Sequence, residues 1–198
     1  MNVFFETIKL KDGILYNIPL HNERLNNTRR RFFKVIYDIN LASIIHLPTD
    51  CKKGLYKVKV IYSENIIDIA YIKYQKREIN SLKIVYNNDV EYHYKYLNRD
   101  FLDILKFNVE EDEIIIVKND FISDASFANI IFFDGITWVT PIVPLFEGIQ
   151  RAYLINKNFI KEENIRIKDL NRFTKLKLIN ALNDFNEAPT INISNLIL

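Results

Sequence analysis

The sequence predicts an α+β protein of two lobes rather than a doubly wound parallel sheet. Two observations carry that prediction. Runs with strand alternation repeatedly meet Asp-Gly or short polar turns, and the segments between them have helical spacing. Strands joined by tight turns pair antiparallel, because a parallel partner needs a crossover of a dozen or more residues.

The elements follow in order. Residues 4–10 alternate as a strand, turn at Asp12-Gly13 and continue through Ile14-Leu15-Tyr16, the Asp-Gly signature of a hairpin. Residues 21–34 read as a polar-faced helix with Leu25, Phe32 and Phe33 on its apolar side. Pro48-Thr49-Asp50 is a loop, and residues 56–62 and 66–74 form a second hairpin around Ser63-Glu64-Asn65. The polar segment 75–80 is read as a linker between a small lobe, residues 1–74, and a larger lobe, residues 80–198.

In the larger lobe, strands are expected at 82–85, 113–118 and 176–179, a helix at about 99–107, and a hairpin over 130–139 turning at Asp134-Gly135. Tyr92-His93-Tyr94-Lys95-Tyr96 is read as extended, with the tyrosines on one face and Lys95 on the other. Thr140, Pro141 and Pro144 end the hairpin, and a helix opens at Gly148-Ile149-Gln150. Residues 123–129 are small and polar and read as a loop ahead of an apolar strand.

Composition narrows the chemistry. The 198 residues suffice for one sizeable core or two small ones, and 27 Lys+Arg against 25 Asp+Glu leave a net charge of +2, which gives no case for nucleic acid or an anionic membrane. A lone Cys51 and the scattered His21, His46 and His93 lack metal-ligand spacing, so no metal is expected. With four glycines, GxGxxG and GxxxxGK[ST] cannot be written, and GxSxG is absent. The N-terminus lacks signal-peptide character and no apolar run reaches 18 residues, so the expected location is cytoplasmic, without a membrane span.

Four positions could carry chemistry. Lys95, flanked by tyrosines, could be desolvated enough to offer a neutral amine for a Schiff base, although a surface lysine on an edge strand has the same pattern. Asp124 lies among small residues that would admit a flat group, or simply form a loop. Arg24 could grip a phosphate or belong to a solvated basic helix face. The backbone N–H groups of Ile149 and Gln150 open a helix and could bind an anion, as any helix start could.

Taken in order, these segments resemble the aminotransferase class IV family, the fold-type IV pyridoxal-phosphate enzymes that include 4-amino-4-deoxychorismate lyase and the D-amino-acid and branched-chain transaminases. Phe5-Glu6-Thr7-Ile8 is similar to the family's early FET strand, and His21-Asn22-Glu23-Arg24-Leu25 to its HxxRL helix. Lys95-Tyr96-Leu97-Asn98-Arg99 resembles the lysine segment of the aminodeoxychorismate lyases. Ser123-Asp124 through Asn129 resembles the T-E-x-x-x-x-N element, with Asp in place of Glu. Thr140-Pro141 with Gly148-Ile149-Gln150-Arg151 is similar to TP…GITR, and Asn180-Ala181 to the late NA turn.

The resemblance implies a D-amino-acid aminotransferase-like fold with pyridoxal 5'-phosphate between the lobes, and places the cofactor lysine in the later one. It implies that Lys95 forms the Schiff base and moves the substrate proton, and that Asp124 pairs with the pyridine nitrogen. Arg24, Ile149 and Gln150 would hold the phosphate, with Asn180 and Ala181. It also implies a homodimer and a small amino-acid-like substrate. The activity expected first is a lyase forming 4-aminobenzoate and pyruvate for folate synthesis. The alternatives are a transaminase of a D- or branched-chain amino acid, and a non-catalytic homologue acting as a binding protein. Lys59, standing where relatives often have arginine, bears on substrate carboxylate recognition.

Overall fold

Asp12 and Gly13 have φ of 49° and 80°, the paired left-handed conformation of a tight hairpin turn. They join β1 (Phe4–Lys11) to β2 (Ile14–Leu15). Asn17, also left-handed, then turns the chain into α1 (Ile18–Phe33), which starts three residues earlier than its spacing predicts because Pro19 is accommodated in the first turn. Lys34 ends α1 in the left-handed conformation, its N–H bonded to Arg30 O. A one-turn helix α2 (Leu41–Ile44) follows, capped by the Asn40 side chain, and then β3 (Leu55–Tyr62) and β4 (Ile66–Lys73).

The structure, a computed structural model, describes residues 2–197, and the chain divides into two compact units. In the first, which runs to Lys76, the strands form an antiparallel sheet in the order β2-β1-β3-β4. Phe4, Ile8 and Leu10 of β1 and Val58, Val60 and Tyr62 of β3 share one core with Leu25 of α1. The alternation that buries Phe4 and Ile8 carries Glu6, which lies between them, to the same face.

The first unit also takes in Tyr94–Asn98. The sequence reading assigned Lys95 to the later lobe, and the structure differs for a physical reason. Phe5 N donates to Lys95 O at 3.0 Å, Leu97 N donates to Val3 O at 2.9 Å, and Phe4 bridges Tyr96. The Tyr94 and Tyr96 rings then complete an aromatic cluster with Phe4 and Phe32 at 4.7–4.9 Å between centroids. Tyr92 instead packs on Phe101 and Phe146 of the second unit, so the tyrosine-rich run is not one strand.

The second unit comprises Arg77–His93 and the chain from Arg99 onward. It contains β5 (Leu82–Tyr86), α3 (Asp100–Phe107), β6 (Glu113–Lys118), β7 (Phe121–Ala125), β8 (Asn129–Phe133), β9 (Trp138–Pro141) and α4 (Ile149–Asn156). The short β10 (Lys161–Glu163), then β11 (Lys175–Ile179), β12 (Thr190–Asn192) and β13 (Leu196–Ile197), complete it. Among the described residues these strands make one sheet, with the path β10-β9-β8-β7-β6-β5-β13 and with β11 joining β8 to β12. Pairing is mostly antiparallel, but β5 runs parallel to β6 and β13, and β9 to β10. Ile115, Val117, Ile130, Phe132, Leu176 and Leu178 form its core. No helix among the described residues is long and apolar enough to cross a membrane.

Candidate active site

Lys95 sits on the side of its segment away from the Tyr94 and Tyr96 rings, and its Nζ lies 4.8 Å from the centroid of the Phe5 ring. Lys59 Nζ lies 5.3 Å from the same centroid, so two lysine side chains share one aromatic ring. The register explains the meeting, because Thr7 pairs with Lys59 and thereby puts Phe5 and Lys59 on one face of the sheet.

Arg24, on α1, is built into a buried charge cluster on the opposite face. Its Nε donates to Glu6 Oε1 at 2.9 Å and its Nη2 to Glu6 Oε2 at 2.5 Å, while His21 Nδ1 lies 2.6 Å from the same Oε2. Glu6 and His21 are wholly buried, and the Arg24 side chain is 16% exposed. Burial pushes the Glu6 carboxyl up, but the Arg24 charge and the hydrogen bonds from His21 and Arg24 outweigh it and bring it to about 2. Burial holds His21 below its usual range against the pull of Glu6, and the Arg24 and Lys95 charges act in the same direction as burial. An ionised carboxylate only accepts, so neutral His21 carries its proton on Nδ1 and leaves Nε2, which has no partner, as a bare acceptor.

In the second unit, Asp124 lies in β7 rather than in a loop, and it pairs with Asn129 across the β7–β8 turn. Asn129 Nδ2 donates to Asp124 Oδ1 at 2.8 Å and to Phe146 O at 2.7 Å, and Phe146 N donates to Asp124 Oδ2 at 2.9 Å. These donors, and the backbone N–H of Leu145 that also acts on the carboxyl, are neutral. Burial raises Asp124 to about 7, against the opposing pull of those hydrogen bonds and the Arg151 charge.

The same asparagine meets the start of α4. A Cβ on Gly148 would stand 2.1 Å from Asn129 Oδ1, so only glycine permits this approach. Gly148 provides no side-chain cap, and the N–H groups of Ile149 and Gln150 belong to the first turn, which has no intrahelical acceptor for them. The helix is fixed from behind by Arg151 Nη2, which donates to Pro141 O at 2.9 Å and Glu162 Oε1 at 2.6 Å. Asn180 Oδ1 accepts from Leu182 N and Asn183 N, so that side chain shapes its own turn and thereby sets the backbone at Ala181. Its Nδ2 donates to Phe127 O at 3.4 Å, tying this turn to the loop after Asp124.

Within the first unit, the structure thus brings Arg24 and Lys95 within electrostatic reach of His21. Within the second it gathers Asp124 and the α4 start around Asn129, with the Asn180 turn beside the same loop.

Residues 3–186 match the family model for amino-transferase class IV. The chain belongs to the aminotransferase class IV family. An uncharacterized protein from Haemophilus influenzae is 34% identical over 186 residues, which is 92% of this chain and 99% of that one. A protein of Haemophilus somnus 129pt, provisionally assigned as a 4-amino-4-deoxychorismate lyase, has a crystal structure that matches with a TM-score of 0.87 at 30% identity. The match covers 93% of this chain and 98% of that one. The PLP-bound form of a hypothetical aminotransferase from Mycobacterium tuberculosis shares the fold, with a TM-score of 0.74 at 14% identity over 98% of this chain and 81% of that one.

Class IV members use pyridoxal 5'-phosphate, so the chain is an enzyme dependent on that cofactor. Its residues fit the group. Asp124 is a buried carboxylate with only neutral donors, and a protonated pyridine would supply the counter-charge that burial denies it. The N–H groups of Ile149 and Gln150 open a helix that has no side-chain cap, and such a start suits an anion.

Three residues at the site carried no role in the sequence reading: Glu6, His21 and Asn129. Glu6 and His21 are 15 residues apart, and spacing along the chain gives no sign that they meet. Asn129 was visible as the end of the T-E-x-x-x-x-N resemblance, but its contacts with Phe146 and Gly148 come from a segment 17 or more residues away.

Proposed function

We propose that the protein is a lyase of the aminodeoxychorismate type, which releases pyruvate and forms 4-aminobenzoate. The observation that carries this reading is the run Lys95-Tyr96-Leu97-Asn98-Arg99, with its final arginine fixed rather than solvated. Arg99 Nη2 donates to Ser126 O at 2.6 Å, and Ser126 N in turn donates to the buried Glu113 Oε1 at 3.1 Å. Arg99 is thereby tied to the loop that follows Asp124. The name given to the Haemophilus somnus protein supports the same reading.

Bound pyridoxal 5'-phosphate supplies an electron sink for charge that develops when a C–H bond beside its linked amine breaks. The chain's own residues do the rest. Lys95 Nζ would hold the cofactor covalently and, once freed by substrate, would take the proton from the ring carbon that carries the amino group. Asp124 holds the pyridine nitrogen protonated through its carboxylate, while Asn129 and Phe146 N keep that carboxylate in place. Arg24, the N–H groups of Ile149 and Gln150 and the turn at Asn180-Ala181 take the phosphate. As the ring becomes aromatic, the enolpyruvyl group leaves as pyruvate. A homodimer and a cytoplasmic role in folate synthesis belong to the same reading.

The test is to load the purified protein with cofactor, add 4-amino-4-deoxychorismate, and measure 4-aminobenzoate and pyruvate. Equal yields, absent with Lys95→Ala, are expected. Conversion of an amino acid to its oxo acid, with aminodeoxychorismate left intact, would assign a transaminase instead. Failure to take up the cofactor at all would assign a binding role.

A further inference from the structure

The phosphate arginine does not stand alone. Arg24 presents the Nε/Nη2 edge of its guanidinium to both oxygens of Glu6, a two-bond clamp that fixes the plane of the group as well as its position. A surface arginine would sample many rotamers and lose that freedom on meeting an anion, whereas one held in a clamp has already given it up.

The clamp is itself braced. His21 and Arg24 are three residues apart on α1 and therefore share a face of the helix. His21 Nδ1 donates to Glu6 Oε2, the oxygen that also receives Arg24 Nη2, and Glu6 has no exposed surface. The β1–β3 pairing of Glu6 with Val60 fixes the backbone beneath it. Full burial of a carboxylate is costly, and a surface position would have served if only a counter-charge for Arg24 were needed.

We infer that Glu6 is a positioning residue for the cofactor phosphate: by clamping the Nε/Nη2 edge of Arg24 while His21 braces the Glu6 carboxylate at Oε2, it aims the guanidinium at the phosphate. This rests on the reading above that assigns Arg24 to that phosphate. Glu6 touches neither cofactor nor substrate, and it acts through Arg24.

The experiment compares two aldehydes, pyridoxal 5'-phosphate and pyridoxal, which share the ring and the reactive carbon and differ only in the phosphate. Dissociation constants for both are measured by absorbance titration on wild type, Glu6→Gln, Glu6→Asp, Arg24→Lys and the double variant Glu6→Gln/Arg24→Lys. Wild type is expected to prefer the phosphorylated form. Glu6→Gln should cut that preference roughly tenfold, the size of one charge-assisted hydrogen bond, with pyridoxal affinity unchanged within about twofold. Glu6→Asp should retain part of the preference. Adding Glu6→Gln to Arg24→Lys should reduce it no further, because the effect passes through Arg24.

An unchanged preference in Glu6→Gln, or equal losses for both aldehydes, would make Glu6 purely structural and overturn the inference. Should Glu6→Gln fail to fold, Glu6→Asp decides, since a preference equal to wild type in a shortened clamp has the same meaning. A wild type that binds both aldehydes equally would instead overturn the assignment of Arg24 to the phosphate. A wild type that binds neither would overturn the cofactor reading and the inference with it.

Discussion

The side-chain oxygen of Asn129 occupies the space that a Cβ on Gly148 would need, at 2.1 Å from where that atom would stand. Asn129 therefore links three parts of the second unit: the carboxylate of Asp124, the carbonyl of Phe146 and the first turn of α4. A change at any of the three is transmitted to the others through one short side chain.

Gly148→Ala tests that coupling. The added methyl must displace Asn129 Oδ1, and a two-carbon side chain held by two hydrogen bonds has little room to yield. Overpacking of this kind costs about 1–3 kcal/mol, to be read from urea unfolding of the cofactor-free protein. Under the proposed assignment of Asp124, Ile149 and Gln150 to the cofactor, its affinity should fall as well. Unchanged stability and affinity would show that Asn129 can rotate away freely.

Asp124 makes the cofactor-free protein sensitive to pH in a direction opposite to that of most carboxylates. Its pKa is raised to about 7 from an ordinary 3.8, so between those values the folded protein holds a proton that the unfolded chain has released. Its contribution to stability is fully present below about pH 4 and is lost as pH rises through 7. The difference in unfolding free energy between wild type and Asp124→Asn should therefore change by up to ~4 kcal/mol from pH 4 to 8, at about 1.4 kcal/mol per unit. Urea melts of both proteins across that range measure it. A flat difference would mean that the carboxylate is already ionised in the folded state.

Much of the fold was legible in the sequence. Residues 113–118 read as a buried strand and match β6 (Glu113–Lys118), because Ile114, Ile115, Ile116 and Val117 have no alternative to burial. The Asp12-Gly13 and Asp134-Gly135 turns were readable because Asp12, Gly13 and Gly135 hold a positive φ that selects those residue types, and Asp134 accepts from the turn's own N–H groups at Ile136 and Thr137. By contrast, β7 read as a loop, since Ser123 and Asp124 look like solvent-facing residues until their partners from residues 143–146 are known. The short strands β10, β12 and β13 carry two or three residues each, too few for a period. At the site, residue types announced themselves while their supports did not. Lys95, Arg24 and Asp124 stand in recognisable surroundings. Glu6, however, lies in the strand alternation between Phe4 and Ile8, and only α1 folding over β1 gives it His21 and Arg24.

Glu6 adds to the acid sensitivity of the first unit. Its pKa is lowered to about 2 from 4.5, so its contribution to stability is fully present above about pH 4.5 and is lost as pH falls through 2. Over that window, wild type should lose up to ~3 kcal/mol relative to Glu6→Gln, at about 1.4 kcal/mol per unit. The comparison cancels the other carboxylates common to both proteins. Parallel acid melts would mean that the clamp contributes nothing to folding.

Lys95→Ala should separate covalent attachment from binding. The backbone at position 95 accepts from Phe5 N and the neighbouring Tyr94 and Tyr96 rings pack on Phe4 and Phe32, so the segment stays in place without the lysine side chain. Unfolding stability is therefore expected to stay within about 1 kcal/mol of wild type. Borohydride should fix the cofactor to wild type and not to the variant, with the tryptic peptide containing Lys95 carrying the label. The variant should still retain cofactor reversibly if, as proposed, Arg24, Asp124 and the α4 start bind it. Labelling of a different lysine in wild type, Lys59 being the other amine on the Phe5 ring, would move the covalent role to that residue.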